Sequence, residues 1–118
     1  MEDSRKIVAS ELAKLFNGLS HPDRIRIVEE LGKGEKDVQT LAGIIEISPS
    51  RCSQHLSTLR TLRLVVDRKE NTHHYYRLVE PVLAKWILDG LEYSELHLVG
   101  SSDFDDAIKS ACEKWKNN

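Results

Sequence analysis

Eleven residues hold the densest chemistry in this chain. Between Ser48 and Thr58 the polar side chains are Ser48, Ser50, Arg51, Ser53, Gln54, His55, Ser57 and Thr58, with no carboxylate among them. Hydroxyls, a carboxamide, an imidazole and a guanidinium are the groups that bond base edges and phosphates. A merely solvated helix usually alternates Glu and Lys four residues apart instead. Gln54 can bond adenine through two hydrogen bonds, and Arg51 can bond guanine or phosphate. Ser48 before Pro49 reads as a helix cap, so the helix start itself could address a phosphate. Plainer readings stay open: His55 bonded to the fold itself, and Arg51 simply solvated.

Charge extends this segment. Residues 51–77 hold six cations and two anions, a net +4, while the rest of the chain carries −6. Arg68, Lys69 and His73 lie in the later part of this basic stretch. A cationic ribbon on an acidic body fits a polyanion-binding surface, where the overall charge of −2 alone does not.

The remaining reactive side chains are few. Cys52 and Cys112 give no disulfide framework, and their scarcity points to a reducing cytoplasm. Each falls on an apolar helical stripe, the setting of a small core side chain. Cys52 also sits in the first turn of a helix, where the dipole favours a thiolate, so a redox role for either cysteine is the alternative. A Cys52–Cys112 bond stays open, because spacing alone cannot bring two Cα atoms into range. His73 and His74 are adjacent on a strand and point to opposite faces, which disfavours a shared metal ion. No metal site or cofactor is expected.

The elements that position these residues follow from periodicity. Val8, Leu12, Leu15, Phe16 and Leu19 form one helical stripe over about 5–17 and just beyond. Ser20 with Asp23 resembles a capping box for a second helix, which Gly32-Lys33-Gly34 ends. Asp37 caps a third helix with Val38, Leu41, Ala42 and Ile45 inward. About three residues then separate it from the helix that Ser48-Pro49 opens, which is helix-turn-helix geometry over about 37–62, with Ile47 as the buried pin. Two runs rich in β-branched and aromatic residues, 64–69 and 74–79, make a hairpin wing joined by Glu70 to His73. Glu80-Pro81 opens a helix over about 81–99 that is apolar on more than one face and so calls for a twofold-related copy. Ser102 with Asp105 caps a last helix over about 103–116, with Phe104, Ile108, Ala111, Cys112 and Trp115 on one side.

A chain of 118 residues, 40% hydrophobic and 31% charged, supports one domain over 1–118. No apolar run approaches the ~20 residues that span a bilayer, and the opening MEDSRK is unlike a secretory signal. Phosphate-loop, GxGxxG and GxSxG signatures are missing, and no set of titratable groups converges on a reaction, so an enzyme is not expected.

Residues 12–79 resemble the ArsR/SmtB family of small winged-helix repressors. The resemblance rests on Leu19-Ser20-His21-Pro22-Asp23-Arg24-Ile25-Arg26-Ile27-Val28, on Ser48 through Arg60, and on Leu64-Val65 followed by a wing ending Tyr75-Tyr76-Arg77-Leu78. The string Ser-x-Ser-x-x-Ser-x-His-Leu-x-x-Leu is its most specific piece. It implies a mainly α (α+β) winged helix-turn-helix, with a two-stranded wing and helical dimerisation elements at both ends. It further implies a homodimeric repressor on a pseudo-palindromic operator in double-stranded DNA, released by a chemical signal. Ser48, Ser50, Arg51, Ser53, Gln54 and His55 would face the duplex, flanked by Arg68, Lys69 and His73. Metal-responsive relatives carry Cys-x-Cys at the start of the third helix, where this chain has Asp37-Val38-Gln39, and no Asp-x-His occurs later. Thiol oxidation, a metal at a non-standard site and a small molecule at the dimer interface stay open as signals. A protein-binding winged helix without DNA is the remaining alternative.

Overall fold

The computed structural model describes residues 3–97 and 102–116. The order is α1 (Ser4–Leu19), α2 (Pro22–Leu31), β1 (Lys36–Asp37), α3 (Val38–Ile45), α4 (Pro49–Thr61), β2 (Val65–Glu70), β3 (His73–Leu78), α5 (Val82–His97) and α6 (Ser102–Lys116). Leu98 and Val99, expected in the fifth helix, lie outside the described residues, as do the side chains of the expected Ser102–Asp105 cap. Among the described residues no helix is long and apolar enough to cross a membrane.

The caps divide the work differently from the sequence expectation. Ser20 closes α1 instead of opening α2: its hydroxyl donates to the Asn17 carbonyl at 2.7 Å. His21 caps α2, its Nδ1 accepting from the Asp23 N–H at 3.0 Å. Pro22 follows at the first helical position, where its missing N–H costs nothing. Ser48 caps α4 as expected, its Oγ accepting from the Arg51 N–H at 3.1 Å. Between α3 and α4 the chain turns through Glu46, a left-handed residue at φ 61°. Ile47 then drops half-buried against the core, the pin that sets the angle between the two helices.

The hairpin belongs to a three-stranded antiparallel sheet in the order β1-β3-β2. Val65 pairs with Leu78 and Glu70 with His73, so the turn is only Asn71-Thr72, shorter than the expected Glu70–His73 loop. Asn71 takes φ 56°, which Asn tolerates better than most residues. The third strand is the two-residue β1, with Lys36 opposite Tyr76 and Asp37 opposite Tyr75. It ties the start of α3 to the wing.

One core joins these layers. Ile27 and Val28 of α2, Leu41 of α3, and Cys52, Leu56 and Leu59 of α4 are essentially inaccessible to solvent, with Val65 of β2 closing the floor. Burying a Leu or Ile side chain contributes roughly 1.5 to 3 kcal/mol. The recognition-type helix α4 is therefore held by a face that its own heptad-like spacing supplies, and its other face stays in water.

Candidate nucleic-acid interface

Ser48, Ser50, Arg51, Ser53 and Gln54 are all exposed along the first turns of α4. A cleft of about 530 Å³ lies in front of Ser50, Ser53 and Gln54, bounded by the starts of α3 and α4 and by Thr72, His73 and His74 of the wing. No acidic residue stands in the first turn of α4, so the positive end of its dipole is uncompensated there. Thr58, also exposed, donates its hydroxyl proton back to the Gln54 carbonyl at 3.3 Å.

His55 departs from expectation. Only 8% of it is exposed, and it points into the molecule. Its Nε2 lies 3.2 Å from Asp23 Oδ2. Its Nδ1 lies 3.4 Å from the Arg24 guanidinium, and its ring centroid sits 4.5 Å from that of His21. Cys52, His55, Leu56 and Leu59 fall at i, i+3, i+4 and i+7, so His55 belongs to the inward stripe; the spacing carried that signal, which the polar character of imidazole masked. Arg24 can only donate, and the Asp23 carboxylate accepts. The tautomer that satisfies both is neutral, with its proton on Nε2. Burial lowers the His55 pKa below its ordinary value, against the opposing pull of Asp23.

His21, Asp23 and His55 offer ligand atoms within 4.8 Å of one another, the one such cluster among the described residues. The Arg24 guanidinium beside His55 puts a fixed positive charge next to them, and His55 Nε2 holds a proton. Both oppose a cation there. At the start of α3, Asp37 lies 3.6 Å from His73 Nδ1 and offers oxygen, not the thiolate that thiophilic metals take.

The wing is also reordered by pairing. Arg68 is exposed but already neutralised: its guanidinium lies 2.7 Å from Glu35 and 2.6 Å from Glu70, and 4.6 Å above the Tyr75 ring. This pairing braces the approach to β1 against the wing. Asp67 bridges α4 and β3, at 3.3 Å from Arg60 and 2.5 Å from His74. The hydrogen bond from His74, with Arg60 nearby, holds the Asp67 carboxyl below the usual carboxylate range. Among the described residues Arg51 and Lys69 make no ion pair, so these two keep their charge available. His73 stays exposed near the wing tip, within reach of Asp37.

Both thiols lie in the core, as their apolar stripes suggested. Cys52 is fully buried, and burial pushes its pKa up to about 11, with the Asp23 charge adding to the rise. The desolvation of a thiolate outweighs the helix dipole, which favours the core reading of Cys52 over the redox alternative. Cys112 is buried on α6, and neither cysteine is in a disulfide. Alkylation of native protein at pH 8 should therefore spare Cys52: its thiolate fraction is roughly two hundredfold below that of an ordinary thiol of pKa ~8.5. Mass spectrometry of peptides after iodoacetamide treatment checks this; rapid labelling of Cys52 in the folded state contradicts it.

Comparison with known proteins places these features in a lineage. Residues 21–66 match the model of the family described as bacterial regulatory protein, arsR family. Over 72 residues the chain is 35% identical to a transcriptional repressor SmtB homologue of Synechocystis sp., covering 61% of this chain. The match spans only 54% of that relative's length. Over 79 residues it is 35% identical to the biofilm growth-associated repressor of Agrobacterium fabrum, covering 67% of this chain and 68% of the relative. The fold matches the homodimeric winged helix-turn-helix DNA-binding domain from Mycobacterium bovis with a TM-score of 0.69, at 22% identity and over 86% and 95% of the two chains. A shared winged helix-turn-helix, a family model across its centre and a repressor matched over two-thirds of both lengths place this chain in the ArsR family of bacterial transcriptional regulators.

Proposed function

We propose that the chain is a homodimeric repressor that binds a pseudo-palindromic operator in double-stranded DNA. The exposed Ser50, Arg51, Ser53 and Gln54 face of α4, free of acid and backed by a rigid core, is the observation that carries this reading. Gln54 and Ser53 read base edges in the major groove. Ser48, Ser50 and Arg51 address phosphate at the helix start, where N–H groups and dipole favour an anion. Lys69 and His73 flank the groove from the wing. His55 and Arg68 hold the frame and do not touch the duplex.

The homodimer is supported by surfaces that the protomer leaves uncovered. Val8, Leu12 and Phe16 of α1 and Val82 and Trp86 of α5 are all exposed, and Phe16 stacks on Trp86 with ring centroids 5.6 Å apart. Contiguous apolar area of this kind marks an interface. A twofold axis through it places two α4 helices in successive major grooves, about 10 base pairs apart. The relative from Mycobacterium bovis, of the same fold, is described as homodimeric.

Two substitutions separate base reading from phosphate contact. Gln54→Ala should relax sequence choice, costing about 1 to 3 kcal/mol at one base pair. Lys69→Ala should weaken binding evenly over all sequences and reduce the slope of log affinity against log salt by about one. Titration of duplexes at two salt concentrations checks both. Identical behaviour of the two variants overturns this assignment, and no affinity for any duplex in dilute buffer overturns the reading itself.

A further inference from the structure

The end of α1 is linked to α4 in two ways, through Arg24 of α2 and through Leu62, which caps α4. Arg24, at the start of α2, donates from Nε to the Gly18 carbonyl at 2.5 Å, and its other arm meets His55 Nδ1 at 3.4 Å. One guanidinium thus bridges the last turn of α1 and the inward face of α4. Gly18 itself lies against Leu62, the residue that caps the far end of α4. A Cβ at position 18 would sit 2.1 Å from Leu62 Cδ1, so any larger residue there would have to push that methyl aside. The two contacts grip α4 near its middle and at its end, and both lead back to the same turn of α1.

Resting on the reading of α1 as a dimerisation helix and α4 as the DNA-reading helix, we propose that Arg24 and His55 are positioning residues that set the angle of α4 relative to the dimer axis, and thereby the spacing between the two operator half-sites. Neither touches DNA. The geometry demands a neutral His55 that donates from Nε2 to Asp23 and accepts at Nδ1 from Arg24. Protonation converts Nδ1 into a donor facing a donor and sets two like charges side by side, so Arg24 must withdraw. The groups facing this ring are Asp23, Arg24 and His21, all from α2 and its cap. The folded protein favours neutral His55, so the junction is intact above the ordinary histidine value of 6.5 and is lost as the pH falls through the lowered folded value.

The test is a spacer series. Inverted-repeat duplexes are built from a half-site selected by the wild-type protein from random duplexes, and differ only in the number of base pairs between half-sites. The full chain is titrated against each, with circular dichroism of every variant. Wild type should prefer one spacer by roughly five- to a hundredfold, and in His55→Leu and Arg24→Met that preference should fall below about twofold. His55→Gln should keep it, because one carboxamide supplies both the donor for Asp23 and the acceptor for Arg24. On acidification below pH 6.5 the wild-type profile should flatten while that of His55→Gln holds. A merely structural role predicts uniform weakening at every spacer; that result, or an unchanged profile in both variants, overturns the proposal. Should one variant fail to fold, the other and the acidified wild type decide. A wild type that binds duplexes but shows no spacer preference also overturns it, whereas a wild type that binds no duplex overturns the DNA reading beneath it.

Discussion

Ser50→Asp should stabilise the protein slightly and nearly abolish its affinity for DNA. Ser50 is exposed at the second residue of α4, and no acid stands in that first turn. A carboxylate there complements the helix dipole, worth about 0.3 to 1 kcal/mol to the folded state. The same carboxylate would face the phosphates that the helix start is read to address. Repulsion between unit charges about 4 Å apart costs on the order of 1 to 4 kcal/mol between the aqueous and near-surface limits, up to about a thousandfold in affinity. The opposite signs make the test sharp. A thermal melt that rises or holds while duplex titration loses at least about fivefold supports the interface; a variant that melts lower, or binds as well as wild type, contradicts it.

Leu12→Glu should convert the proposed dimer to monomer and remove the proposed DNA binding with it. Leu12 is exposed on α1, in line with Val8 and Phe16, so its protomer gains little from it. In a twofold dimer the substitution occurs twice and sets two carboxylates in an apolar seam. Uncompensated burial of charge costs several kcal/mol per ion, so the dissociation constant should rise by at least about a hundredfold. Glu is a good helix former, and α1 itself should survive. Sedimentation velocity across a concentration series checks the association, and far-ultraviolet circular dichroism checks the helix. An unchanged dimer places the interface elsewhere.

Much of the architecture was legible from local pattern. The stripe of Cys52, Leu56 and Leu59 and the Ser48-Pro49 start were enough to orient α4, because helical period and caps depend on residues within one or two turns of each other. The hairpin was visible from its β-branched and aromatic runs. The strand β1 was not: two residues carry no period, and Lys36-Asp37 is a strand only because Tyr75 and Tyr76 lie opposite. The cap of α2 was misplaced by one residue, since Ser20 and His21 can each cap and only the fold assigns Ser20 to α1.

The chemistry of single side chains was harder to read. Arg68 counts as a free cation in any tally of charge, yet it is neutralised by Glu35, 33 residues earlier. Cys52 at a helix start looks activated, yet the core around it raises its pKa to about 11. His55 looks like one more polar group on a reading face, yet it is held inward by Asp23, 32 residues away.

The sequence by itself determined the order of the helices and the hairpin, the polar face of α4 and the family, because those depend on spacing and on residue type. Only the tertiary structure decided which polar residues face water and which are consumed in holding α4 to α1 and α2. Charge compensation is set by contacts between residues some thirty positions apart, which no local pattern records, and the stripe that placed His55 inward is decisive only once Asp23 and Arg24 are seen to meet it.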